Sequence, residues 1–212
     1  MRGILWNGKR LLRVRELLLP KDAGKLAESI RRLLLELTPR QPVPAGFSAP
    51  AEPNSPVSGI DLPRIASEYD ARVDTRARCL ARAEFTHGAA CDIPDAVAVI
   101  AGTDLSWTFG VAEKIRNDPD PRPPETWEAE YRALRESGAD DEALARFLAE
   151  HMERVARHYN PRALLVGGGV FGRKGFVRRF TRALRASGRR EEVRPARLRR
   201  NGPAVGAALL HA

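Results

Sequence analysis

Cysteine is scarce in this chain of 212 residues: Cys79 and Cys91 stand alone, twelve apart, with no C-x-x-C pair. That spacing excludes a disulfide framework and a zinc knuckle, and it suits a reducing compartment. Long apolar runs are also missing, since no stretch approaches the roughly eighteen consecutive apolar residues of a membrane span. Met1 to Pro20 is interrupted by Arg and Lys and is not built like a signal peptide. The expectation is a cytoplasmic protein with no membrane partner. The four histidines, His87, His151, His158 and His211, are scattered. His151 and His158 fall seven apart on one predicted helix without a third ligand, so they read as surface imidazoles and no metal site is expected.

Acidic residues are scarce in one place only. Between Arg173 and Arg200, twelve Arg or Lys stand against Glu191 and Glu192, a local +10, so the rest of a chain with net charge +9 carries −1. Arg outnumbers Lys 31 to 5, a bias that GC-rich coding produces without any anionic partner. No aromatic residues interleave with the basic ones as base stacking requires, which argues against nucleic acid.

What is present is ample material for a core. At 43% apolar residues, the chain holds one sizeable domain or two small ones. Ile4–Trp6 and Arg10–Leu18 flank Asn7-Gly8 and predict a hairpin on a tight type I′ turn. Leu26, Ile30, Leu33, Leu34 and Leu37 predict a helix from Asp22 to Leu37. A short strand is expected at Val43–Ala49, a loop at Pro50–Gly59, a helix at Asp61–Tyr69 and a strand at Ala71–Val73. A helix at Thr75–Thr86 and an apolar strand at Ala96–Ala101 follow, the strand ending in Gly102-Thr103. Four prolines make Asn117–Pro124 a loop. Beyond it, Leu144, Phe147, Leu148, Met152 and Val155 stripe a helix capped by Asp140 or Asp141 and running to Tyr159. Ala163–Val166 is a buried strand feeding Gly167-Gly168-Gly169. Phe176, Phe180 and Leu184 mark a helix that Gly188 ends, Val193–Leu198 a strand, and Ala204–Leu210 a last helix opened by Pro203. Alternating strands and helices argue for an α/β fold.

Strand, three glycines and helix in succession let a backbone approach an anion closely, because glycine has no Cβ to block contact. Here His158-Tyr-Asn-Pro-Arg-Ala-Leu-Leu-Val-Gly-Gly-Gly-Val170 and the ending Gly202-Pro-Ala-Val-Gly-Ala-Ala-Leu-Leu210 resemble the C-terminal half of the ROK (repressor, ORF, kinase) sugar kinases. Ala81-Arg-Ala-Glu-Phe-Thr-His-Gly88 resembles that family's A-x-A-E-x-x-x-G helix, and Val99-Ile-Ala-Gly-Thr103 its strand before a phosphate loop.

The resemblance implies the actin-like ATPase fold: two ribonuclease-H-like lobes, at residues 1–94 and 95–212, with the first strand missing because the chain starts at what resembles the second. It also implies ATP and magnesium as cofactors, phosphoryl transfer to a sugar hydroxyl, and a homodimer. Gly102, Thr103, Gly167, Gly168 and Gly169 would then hold the nucleotide. The sequence departs from the family's pattern where chemistry is expected. The second phosphate loop reads Gly102-Thr-Asp-Leu-Ser-Trp-Thr-Phe-Gly110, placing Asp104 toward a phosphate and Trp107 and Phe109 where the backbone should come close; a plain strand-turn-strand hairpin is the alternative. The base aspartate falls in register on Arg76, which cannot take a proton, leaving Asp74 as candidate base or as an exposed helix cap. The family's zinc segment is absent. The expectation is a sugar kinase homologue of impaired activity or, alternatively, an inactive relative with a regulatory or partner-binding role.

Overall fold

A computed structural model describes residues 2–17, 22–38, 43–49, 62–111 and 125–211. The loops expected at Pro50–Gly59 and Asn117–Pro124 lie outside the described residues.

The chain begins with the expected hairpin, β1 (Arg2–Trp6) against β2 (Leu11–Glu16). The turn is longer than a two-residue type I′. Only Gly8 takes positive φ, and the Asn7 side chain accepts hydrogen bonds from the amides of Lys9 and Arg10, closing a four-residue turn. Helix α1 (Ala23–Leu37) is capped by Asp22, whose carboxylate accepts from the Lys25 amide, and its leucines lie on the hairpin. Strand β3 (Gly46–Ala49), helix α2 (Leu62–Ser67) and strand β4 (Arg72–Thr75) form a parallel unit with Gly46 opposite Arg72. Helix α3 (Arg76–His87) follows directly. Among the described residues no strand joins the β1–β2 pair to the β3–β4 pair.

The second half builds one four-stranded sheet in the order β6–β5–β7–β8. Strand β5 (Asp95–Ala101) pairs antiparallel with β6 (Leu105–Val111) and parallel with β7 (Ala163–Gly167), which pairs parallel with β8 (Glu192–Pro195). Strands β5 and β7 are buried almost throughout, as strands covered on both faces must be. Helix α4 (Glu125–Glu136), α5 (Asp141–Tyr159) and α6 (Phe176–Ala186) cover one face through Tyr131, Leu148, Met152, Phe176 and Phe180. On the other face Ala81 and Phe85 of α3 pack on Ala96, Ala98 and Leu165.

Helix α7 (Gly202–Ala208) returns to the first half of the chain and packs on α3, β3 and β1. Contact with α3 is so close that a Cβ on Gly206 would stand 1.7 Å from the Cys79 carbonyl oxygen. Glu84 locks this joint. Fully buried, its carboxylate accepts hydrogen bonds from the amides of Ala89, Arg197 and Leu198, tying the end of α3 to the segment that leads into α7.

Two further sequence expectations need correction. His151 is buried, not a surface imidazole: it lies between Trp127 of α4 and Phe147 of α5, with Nδ1 2.8 Å from the Phe147 carbonyl. The apolar stripe of α5 is wide enough to carry a polar ring inward once α4 covers it. Trp107 and Phe109 do not crowd the turn before them. As alternate residues of β6, they face the core beside Tyr159, where Phe109 stacks at 4.6 Å.

Candidate functional site

Three segments meet where β4 runs into α3, where β5 turns into β6, and where β7 ends in glycines. At the first, Asp74 lies inside β4 and is 5% exposed, while Thr75 provides the helix cap by accepting from the Arg78 amide. Oδ1 of Asp74 accepts from the Thr75 amide at 2.7 Å and from Arg78 at 3.3 Å, and Oδ2 accepts from Arg82 at 2.8 Å. Arg78 and Arg82, four apart, share one face of α3, which explains why both reach the carboxylate at the end of β4. Three of the roughly four lone-pair sites of the carboxylate are thereby taken, and two guanidiniums beside it favour its ionised form and oppose its taking a proton. Behind it the Cys79 thiol is pushed up to about 12 by burial, with the Asp74 charge adding to the effect, so it is no nucleophile.

At the second segment β5 and β6 form a plain hairpin, and the Gly102 amide donates to the Asp104 carbonyl at 3.0 Å. The carboxylate of Asp104 faces Arg76 at 3.8 Å, each side chain about one-third exposed. Register with the resembled family had placed Arg76 where a base belongs and Asp104 in a phosphate loop. The structure brings these two together. Tyr131 of α4 supports the turn from behind by donating its hydroxyl to the Gly102 carbonyl at 2.8 Å, and burial pushes that phenol up to about 12. Helix α4 had no sequence expectation, although Trp127, Tyr131 and Leu134 recur at helical spacing.

At the third segment Gly168 has φ +95°, and a Cβ there would lie 2.3 Å from the Ala101 carbonyl oxygen, which also accepts from the Val170 amide. Gly168 therefore locks the glycine loop onto the end of β5. Gly102 and Gly169 remain open: a Cβ on Gly102 would come no nearer than 4.0 Å to the Gly169 nitrogen, and one on Gly169 would meet nothing. Gly167 packs under Leu80 of α3. Of the expected nucleotide residues, Gly102 and Gly169 thus form an open backbone floor, Gly167 and Gly168 hold it in place, and Thr103 sits in the turn beside them.

This floor offers open backbone but no unpaired carboxylate for a protein-held magnesium ion. Magnesium in such sites leans on one or two free carboxylates. The two flanking aspartates, Asp74 and Asp104, are already paired with arginines. Among the described residues no group of three or more His, Cys, Asp or Glu stands together.

No family model matches the chain. No curated protein matches it either. Solved structures do. A ROK family glucokinase from Streptomyces griseus, solved with glucose and AMPPNP, is 17% identical, with 99% of this chain and 98% of that one covered and a TM-score of 0.74. An inorganic polyphosphate/ATP-glucomannokinase from Arthrobacter is 19% identical over 99% and 92%, with a TM-score of 0.71. A ROK family transcriptional regulator, a homologue of E. coli MLC protein, is 13% identical over 96% of this chain and 72% of that one, with a TM-score of 0.59. The chain therefore has the α/β, actin-like fold of the ROK sugar kinases. No helix among the described residues is long and apolar enough to cross a membrane.

Proposed function

We propose that this chain is a sugar-kinase homologue that holds an adenine nucleotide on the Gly102 and Gly167–Gly169 loops without transferring its terminal phosphate to a sugar. The observation that carries the reading is the Arg76–Asp104 pair between the start of α3 and the β5–β6 turn. An arginine stands at the position resembling the family's base, and the nearest alternative, Asp74, has both oxygens engaged. General-base catalysis needs a carboxylate within hydrogen-bond reach of the hydroxyl that attacks, and neither residue provides one.

The nucleotide half of the reading is supported by the open floor at Gly102 and Gly169 and by the AMPPNP held by the Streptomyces neighbour. Its neighbours include both kinases and a transcriptional regulator, so the fold serves catalytic and regulatory ends. A regulatory or partner-binding role follows for a chain that binds without turnover.

Titrating ATP into the protein, with and without magnesium, and assaying ADP release with glucose, mannose and N-acetylhexosamines tests both halves. Saturable binding with no sugar-dependent ADP release is expected. Sugar-dependent release would make the chain a sugar kinase and would return Asp74 to candidacy as the base.

A further inference from the structure

Three arginines, Arg76, Arg78 and Arg82, lie around the start of α3, and they are not equivalent. Arg78 and Arg82 are hydrogen-bonded to Asp74. The Arg76 side chain makes no hydrogen bond among the described residues, and its one counter-charge there is Asp104 at 3.8 Å, beyond hydrogen-bond reach and partly open to water. Asp74 is already shared by the other two guanidiniums. Among the described residues, Arg76 is therefore the most loosely held of the three, its side chain about one-third exposed. That residue faces the turn in which Gly102 bonds to Asp104, and Gly102 in turn faces Gly169. The open floor therefore runs from Gly169 across Gly102 and ends at Asp104 and Arg76.

We infer that Arg76 is the ligand for the terminal phosphate of a nucleotide on this floor, and that Asp104 holds its guanidinium until the phosphate arrives, so that the site distinguishes ATP from ADP. The inference rests on the nucleotide reading above. A guanidinium presents paired N–H donors that match a phosphate's oxygens, and charge-assisted bonds of that kind are stronger than a loose solvent-exposed pair. Asp104 opposes the arriving phosphate by like charge. The residue that weakens ATP binding is then the same one that keeps Arg76 in position for it. ADP, one phosphate shorter, leaves the Arg76–Asp104 pair undisturbed.

The test is calorimetric titration of ATP and of ADP, in EDTA, into the full chain and two variants. ATP should bind more tightly than ADP. Arg76→Ala should weaken ATP by about tenfold, the loss of one charge-assisted contact, and change ADP by less than about twofold. Asp104→Asn should tighten ATP several-fold and leave ADP unchanged. Both side chains are partly exposed, so equal thermal midpoints for the three proteins will show that each is folded. An ATP-to-ADP ratio that is unaltered in both variants overturns this inference while leaving nucleotide binding intact. Absence of saturable binding by either nucleotide overturns it together with the reading beneath it.

Discussion

The two halves of the chain use the same kinds of element and bury them differently. Strand β5 is buried from Ala96 to Ala101 and packs into a cluster that runs from Trp127 and Tyr131 to Phe180 and Leu184. Strand β1 is only half-buried along its whole length, and the first half's own cluster of Leu26, Ile30 and Ile65 is small. Four strands hydrogen-bonded in one sheet stand against two separate pairs. Stability therefore resides mainly in the second half, and the first half is held to it through α3 and α7.

Truncating the larger core is the strongest way to probe that asymmetry. Phe180→Ala removes a fully buried ring that packs edge-on against Phe171, and it should cost about 4 kcal/mol in urea unfolding. Next is the joint between the halves: Glu84→Ala leaves the amides of Ala89, Arg197 and Leu198 without their acceptor and should cost about 3 kcal/mol. Leu26→Ala, in the small cluster, should cost about 2 kcal/mol and should speed hydrogen exchange in β1 and β2 before it affects β5 or β7. Equal costs for Leu26 and Phe180, with uniform exchange across both halves, would break the comparison.

How much of this was legible before the structure also divides along the chain. The second half could be read because its signals are local: Asp140 caps α5, Gly188 ends α6 with φ +83°, and the Ala163–Val166 run leads straight into glycines. At the site, Gly102 and Gly167–Gly169 were visible in sequence, but their division into open floor and packing support was not. That division depends on which backbone lies opposite each glycine, the Ala101 carbonyl for Gly168 and nothing for Gly169. Asp74 looked free because its partners follow four and eight residues later, on a helix face that exists only once β4 turns into α3. Arg76 and Asp104 are far apart in sequence and met only in the fold. His151 reads as a surface residue in sequence because α4, whose Trp127 covers it, carries only a sparse apolar pattern.

The smallest expected effect concerns the two thiols. Cys91 is exposed and Cys79 is buried, its thiol pushed up to about 12. One thiol should react with Ellman's reagent in the native protein at pH 8, and two in denaturant. Because the folded pKa lies above the unfolded one, the stability Cys79 contributes is present below about pH 8.5 and is lost as pH rises toward 12. Two reactive thiols in the native protein would show that the joint between α3 and α7 opens readily.

The measurement closest to the central claim is the heat of ATP titrated into the protein in the presence of glucose and magnesium. Binding without transfer predicts a saturable one-site signal that returns to baseline after every injection. A sustained heat flow after saturation, from continuing phosphoryl transfer, or no saturable heat at all, would contradict it.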